Sequence, residues 1–419
     1  MELTRRLLSL AVPHPFVVTA PGATAVRLAV EKELRVRGWA ATLSPADADM
    51  LVLCGTGGRD LDDAAGRVWT QLPAPQTRVK ITDPSTVAVA LDRARAALND
   101  PTPLSPSAPG KDDDGDQGHD MSGRHDMSGR HDMTGMDMSG GHDMTGMDMS
   151  GHQDHDMTGM DMELPGGLEM AERAPDRDGL KLDQLHLVLG PALPLWPAGL
   201  VVRVLLQGDV AQSAEVSVLD AGAGTSFWST ALATATGTDN DGHSGGSGAA
   251  ARIRAAAAAD SLQRLLGVAG WDSASRTGRW LRDELLDPSP GDPLHPRFAR
   301  WLRRVRGSRV LRWSTNGLGP VGAAAPAYLQ GDVTVRLLRW TDDIAAVVDS
   351  TIIDTVALPK RDSTKPAVPE RAIAARASLS LLPSLLAGQE LAAVRLIVAS
   401  LDPDVEALYA YEKAAHHHG

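Results

Sequence analysis

The sequence predicts an α/β N-terminal domain with a parallel sheet over residues 1–100. It also predicts a helix-rich α+β domain over residues 163–415, the two joined by a disordered tract at 101–162. Three observations predict this. Short β-branched runs alternate with helical stretches up to residue 98, the pattern of a three-layer parallel α/β unit. Residues 119–162 contain no aromatic residue and no Leu, Ile or Val, so they have nothing with which to build a core. Beyond them a hairpin pattern gives way to long helical periods.

In the N-terminal part, HPFVVTA (14–20) reads as a buried strand and PGAT as a turn. A helix follows over 25–36, with Leu28, Val30 and Leu34 on its buried face, and a short strand is expected over 40–43. MLVLCGT (50–56) is the clearest buried strand and runs into Gly55-Thr56-Gly57-Gly58. Residues 59–72 read as a helix, 77–82 as a strand and 84–98 as a helix with Pro84 in its first turn. The loop at Gly55 lacks the Lys and spacing of a phosphate-binding loop, since Arg59 and Asp60 follow instead, so it reads as a plain strand-to-helix turn. Cys54, the sole cysteine, reads as a small buried hydrophobe, and no internal disulfide or all-cysteine metal site is available.

Pro101–Pro109 is Pro/Ser-rich and Lys111–Asp116 acidic. Asp-Met then occurs eight times, and seven copies continue into Ser-Gly or Thr-Gly. Eleven of the 14 methionines and six of the 13 histidines lie between residues 119 and 162. The candidate soft-metal ligands are His119, Met121, His125, Met127, His131, Met133, Met136, Met138, His142, Met144, Met147, Met149, His152, His155, Met157, Met160 and Met162. Thioether sulfur selects Cu(I) and imidazole suits copper, zinc and nickel. The tract resembles the Met/His-rich segments of copper-resistance and metal-storage proteins. The competing reading is a soluble low-complexity tether that carries no metal. Residues 111–162 hold 13 Asp against Lys111, Arg124 and Arg130, a net −10 of the chain's −12, so the remainder is nearly neutral and suggests no nucleic-acid surface.

In the C-terminal part, a strand begins near Leu180 and GPALPLWPAGL is a Pro-punctuated loop. Residues 201–209 and 210–220 form a hairpin turning at Gln207-Gly208-Asp209. Residues 237–248 read as a loop whose DNDGH lacks the Glu and spacing of a calcium site. Helices are expected over 249–268, 274–287 and 293–306, and a strand over 308–315. A short strand or helix is expected to open 333–350, which continues as helix, and helices close the chain over 371–387 and 390–401. His186, His243 and His295 read as structural, because no HExxH, GxSxG or CxxC motif is present. The nine tryptophans read as core or interface anchors.

The stretch SPADADMLVLCGTGGRDLDDAAGRVWTQLPAPQTRVKI resembles the small-subunit domain shared by nickel–iron hydrogenases and complex I, through Asp47, Ala48, Asp49, Leu51, Val52, Gly55, Thr56, Val68, Leu72 and Pro73 or Pro75. That family places its iron–sulfur ligands just after the first strand, where this chain has Gly22-Ala23-Thr24-Ala25-Val26. The stretch LHLVLGPALPLWPAGLVVRVLLQGDVAQSAEV resembles the opening β-region of the large, quinone-site subunit and its hydrogenase counterparts, through Gly190, Pro191, Pro194, Gly199, Leu200, Gly208, Asp209 and Val210. WLRRVRGSRVLRWSTNGLGPV is similar to a later region of it. Ala192 and Leu193 stand where that family has a histidine, and Val218-Leu219-Asp220 replaces its Tyr-His-Arg-Gly segment.

The resemblance implies a fused pair of subunits that has lost its cluster and nickel ligands. The expected function is a non-catalytic accessory or scaffold component of a complex-I-like or hydrogenase-related respiratory oxidoreductase, with no catalytic or cofactor-binding residues of its own. The expected partners are the other subunits of a membrane-associated complex. One alternative is a copper-binding protein acting through the tract. Another is a quinone-oxidoreductase subunit relying on partner-held cofactors. The start MELTRRLLSLAVPHP lacks a signal-peptide pattern, and no run of about 20 apolar residues occurs. The expected location is the cytoplasm, reaching the inner face of a membrane through partners.

Overall fold

A computed structural model describes residues 12–99, 173–175, 181–219, 226–236, 247–287, 296–348 and 368–409. All 17 candidate ligands of the Met/His tract, with His243 and His295, lie outside the described residues.

The N-terminal part is an α/β layer structure. Strands β1 (Pro15–Thr19), β2 (Met50–Cys54) and β3 (Thr77–Ile81) form a parallel sheet in that order, with Phe16 opposite Leu51 and Leu51 opposite Arg78. The central strand is buried at every position, as an apolar run covered on both faces requires. Edge strand β3 alternates, turning Arg78 and Lys80 outward. Helix α1 (Thr24–Arg37) stops at Gly38, whose φ of 71° only glycine adopts readily. The Gly38 and Trp39 amides donate to Arg35 and Leu34, closing the helix end. Helix α2 spans Arg59–Trp69 and α3 spans Val87–Asn99, the latter after a tight turn at Pro84–Thr86 capped by Asp83.

The strand expected over 40–43 is absent. After Gly38 this segment makes one bond to the sheet edge, from Thr42 N to Pro15 O at 2.8 Å. Pro45 then lacks a donor, and Ser44 caps the turn Pro45–Asp47 instead of extending a ladder.

The C-terminal part opens with an antiparallel sheet of β4 (Arg173–Pro175), β5 (Lys181–Leu189), β6 (Leu200–Gln207) and β7 (Val210–Val218). Gly208, at φ 62°, makes the β6–β7 turn. Among the described residues the helices that follow include α4 (Phe227–Thr236), α5 (Ser247–Val268), α6 (Asp272–Leu286), α7 (Arg297–Gly307), α8 (Arg309–Thr315), α9 (Val333–Val348), α10 (Val368–Leu386) and α11 (Leu391–Leu401). The edge of β7 is closed by the α10–α11 connection: Ala211 N donates to Gln389 O, and Gly388 N to Ala211 O.

Residues 308–315 are helical, not extended. Ser308 accepts from Leu311 N, and Leu311 and Thr315 share one buried face at helical spacing, where the Thr315 hydroxyl meets that of Thr334 at 2.7 Å. Residues 333–348 are helical throughout. Helix α4 was not expected: its Thr- and Ala-rich sequence buries only Trp228 and Ser229, so it lacks a clear apolar stripe.

Helix α5 is the axis of the C-terminal part. Residues 255–263 are buried on every side, and α4, α6, α9 and α11 pack around them. Its alanines let the neighbours approach. Gly278 of α6 sits where an added Cβ would lie 2.9 Å from Gln263 Cβ. The described residues on either side of the tract pack as one compact unit. Leu28 of α1 belongs to the core around α5, and Ala192 of the β5–β6 loop to the core around β2.

Candidate functional site: a cavity over a buried charge network

The β1–α1 loop is the contact point between the parts. Ala20 N donates to Cys54 O at 2.9 Å and Ala23 N to Ala20 O, folding residues 20–23 into a tight buried turn. Two glycines clamp it. A Cβ on Gly55 (φ 86°) would lie 2.4 Å from Ala23 Cβ, and one on Gly199 (φ 80°) would lie 2.6 Å from Pro21 Cγ. The chain can approach this closely only because neither residue has a side chain.

Behind the loop, α1, α5 and α6 bring charges together away from water. Arg27 reaches Asp260 through two hydrogen bonds, at 3.1 and 2.7 Å, and also donates to Glu31 one turn on. Arg282, fully buried, bridges Glu31, Asp260 and Asp283. Arg264 joins Asp260 to Asp402, whose other donor is the Ser261 hydroxyl. Arg35–Asp283 and Lys32–Asp287 extend the network towards the surface. Every carboxylate here meets a guanidinium, an ammonium or a hydroxyl, the condition for keeping it ionised in a dry place.

The charge states follow. Burial alone would raise the Asp260 carboxyl, but Arg27, Arg264 and Arg282 hold it well below the usual carboxylate range. Burial opposes ionisation of Glu31 too, and Arg27 and Arg282 bring it down to about 2. The matching attraction overrides burial at Arg27 and Arg282, whose guanidiniums are held charged above their ordinary value. Arg279 differs: burial, with Arg282 and Arg27 beside it, lowers its value. It donates to the amide oxygen of Gln263, at 2.9 Å.

A cavity of about 90 Å³ lies over this network. Thr19, Thr24 and Arg27 form one wall, Arg264 and Arg279 another, and the β5–β6 loop around Trp196 its roof. That loop is fixed by Trp196 Nε1 donating to Leu200 O at 2.8 Å and by Gly190, where a Cβ would strike Leu200 O. Glu406 closes the cavity from the last helical turn. Its carboxyl accepts from Thr24 N (2.9 Å), the Thr24 hydroxyl (2.7 Å) and Phe227 N (3.2 Å), while burial pushes its pKa up. Arg371 pairs with Asp404 at 2.8 Å on the same rim.

The described lining holds no histidine, cysteine, lysine or tyrosine. Its carboxylates are taken up by the donors just named. The iron–sulfur cluster that the resembled family carries does not fit this loop, which offers Ala20, Pro21, Gly22, Ala23 and Thr24 where a cluster needs thiolates. Cys54 turns its backbone carbonyl to the loop, and burial raises its thiol to about 12, far from the thiolate a ligand requires. Among the described residues, no group of three or more His, Cys, Asp or Glu could hold a metal ion. His186 is exposed on β5, and His14 is exposed beside Asp49.

No family model matches this chain, and no curated protein or solved structure matches it either.

The sequence reading missed the network entirely. Arg27 and Glu31 share α1, and Asp260 and Arg264 share α5, each pair at i,i+4, but nothing in one sequence joins these pairs to each other or to Arg282 of α6. One signal was available: Asp260 follows the five alanines 255–259 of a long helix, where an acid has to find a partner. Of the tryptophans, Trp39, Trp196, Trp228 and Trp301 are buried anchors, whereas Trp313 stands in solvent.

Proposed function

We propose that this chain is a non-catalytic accessory or scaffold component of a complex-I-like or hydrogenase-related oxidoreductase. The observation that carries the reading is the Arg27–Glu31–Asp260–Arg282 network. Charges that satisfy one another join α1 of the α/β part to α5 and α6 of the C-terminal part. Such a junction fixes two parts in one orientation and leaves little for chemistry. Partner subunits of a membrane-associated complex would then dock on the outside of this fused pair. Native purification with mass spectrometry of the co-purifying chains tests it. Membrane-arm oxidoreductase subunits are expected with the wild-type chain. Electron transfer or quinone reduction by the isolated chain would overturn it.

A second reading rests on ligand chemistry. The tract concentrates 17 His and Met side chains, from His119 to Met162, that suit Cu(I). Under this reading the protein handles copper and the folded part is its anchor. Copper that binds stoichiometrically and is lost on deleting 119–162, with no partner retained, would favour it over the scaffold.

A further inference from the structure

Residues 296–331 carry seven arginines and no acidic residue. Helix α7 buries Phe298, Trp301, Leu302 and Val305, a stripe at helical spacing, which leaves Arg300, Arg303, Arg304 and Arg306 exposed. Helix α8 turns Leu311 and Thr315 inward and presents Arg309, Val310, Arg312 and Trp313 to solvent. Trp313 is 84% exposed and Val310 76% exposed. They are neighbours at i,i+3, so they make one apolar spot on α8, with Arg309 and Arg312 on the same exposed side of that helix.

Part of this charge is used internally. Arg306 pairs with Asp342 at 2.9 Å, Arg297 lies 3.5 Å over the Trp280 ring, and Arg304 5.3 Å over Trp271. Arg300, Arg303, Arg309 and Arg312 have no ion pair with a described carboxylate. Single exposed apolar residues are ordinary, but an indole in water on a helix whose Arg309 and Arg312 have no described carboxylate partner, next in sequence to a helix exposing Arg300 and Arg303, is a surface awaiting a contact. Charge complementarity makes that contact anionic. The indole makes it amphipathic, since tryptophan favours the level of lipid headgroups. One indole on a convex helix offers no series of stacking platforms for bases. No described helix is long and apolar enough to cross a membrane, so the contact would be peripheral.

We propose that the α7–α8 face seats this protein on an anionic phospholipid surface. Trp313 and Val310 enter the headgroup layer, and Arg300, Arg303, Arg309 and Arg312 sit on its phosphates. This goes beyond the accessory role and does not depend on it. The chain carries −12 overall, so attraction to an anionic surface has to come from a local face and not from net charge.

The test is co-sedimentation of the full chain with vesicles of phosphatidylglycerol and phosphatidylcholine, beside phosphatidylcholine alone. Binding to the anionic vesicles only, weakened by added salt, is expected. Trp313→Ala removes an exposed side chain, leaves the core intact and should weaken binding several-fold. Arg309→Gln with Arg312→Gln should cost about fivefold for each arginine. Circular dichroism should be unchanged for both variants. The proposal is overturned by absence of binding to anionic vesicles, by variants that bind like the wild type, or by duplex DNA binding more tightly through the same residues.

Discussion

Arg27 and Asp260 lie 233 residues apart and share two hydrogen bonds, at 3.1 and 2.7 Å, with the Asp260 side chain wholly shielded from water. The pair joins the first helix of the α/β part to the central helix of the C-terminal part. Paired charges of this kind stabilise little relative to a well-packed apolar contact, but removal of one partner strands the other. Asp260→Asn is expected to lower stability by about 3–5 kcal/mol. Chemical denaturation followed by tryptophan fluorescence measures it. A loss below about 1 kcal/mol, the range of surface pairs, would show that water reaches the network.

Acid should dissolve the same junction. Glu31 titrates at about 2 in the folded chain against an ordinary 4.5. A carboxyl held low contributes stability above its unfolded value and loses it as pH falls towards the folded one. The urea midpoint should therefore drop between about pH 4.5 and pH 2, and Glu31→Gln should flatten that part of the curve. Glu406 has the opposite sign: its value is raised, so its contribution is present below the ordinary carboxyl value and is lost as pH rises through the folded one.

Cys54 reports on opening of the sheet. Its thiol is buried in β2 and raised to about 12, so it should resist a disulfide reagent at pH 8 in the native protein. Full reaction is expected in denaturant. Rapid labelling under native conditions would mean that β2 opens without global unfolding.

Gly199 tests the close approach of the two parts. At φ 80°, with Pro21 Cγ 2.6 Å from where its Cβ would be, Gly199→Ala combines backbone strain with a clash. A loss of about 2 kcal/mol or more is expected. Gly38→Ala, at φ 71° with nothing within 4 Å, should show the strain without the clash and cost less. Thermal unfolding of both variants separates the two contributions.

Much of the architecture was legible in the sequence because local patterns dictate it. The apolar run MLVLC can be buried only as a central strand, and Gly208-Asp209 between two β-branched runs can only be a hairpin turn. Residues 308–315 misled because Val310, Leu311 and Trp313 look strand-like, while the deciding contacts, the Ser308 cap and Thr315 against Thr334, depend on the fold. Helix α4 was missed because it buries so little. Beyond Asp260, the charge network left little trace in the sequence: Arg27 and Arg282 look like ordinary surface arginines on amphipathic helices until α1 and α6 are set face to face. The same holds for Gly55 and Gly199, whose role is to let the β1–α1 loop through.

Metal analysis of the natively purified chain, beside a variant lacking residues 119–162, tests the central claim most directly. The junction of the two parts is held by charged side chains, and among the described residues no group of three or more His, Cys, Asp or Glu could hold a metal ion, so neither protein is expected to contain iron or nickel. Any copper should disappear with the tract. Stoichiometric iron or nickel retained in the shortened variant would contradict the account, because the described residues offer no group of ligands that could hold it.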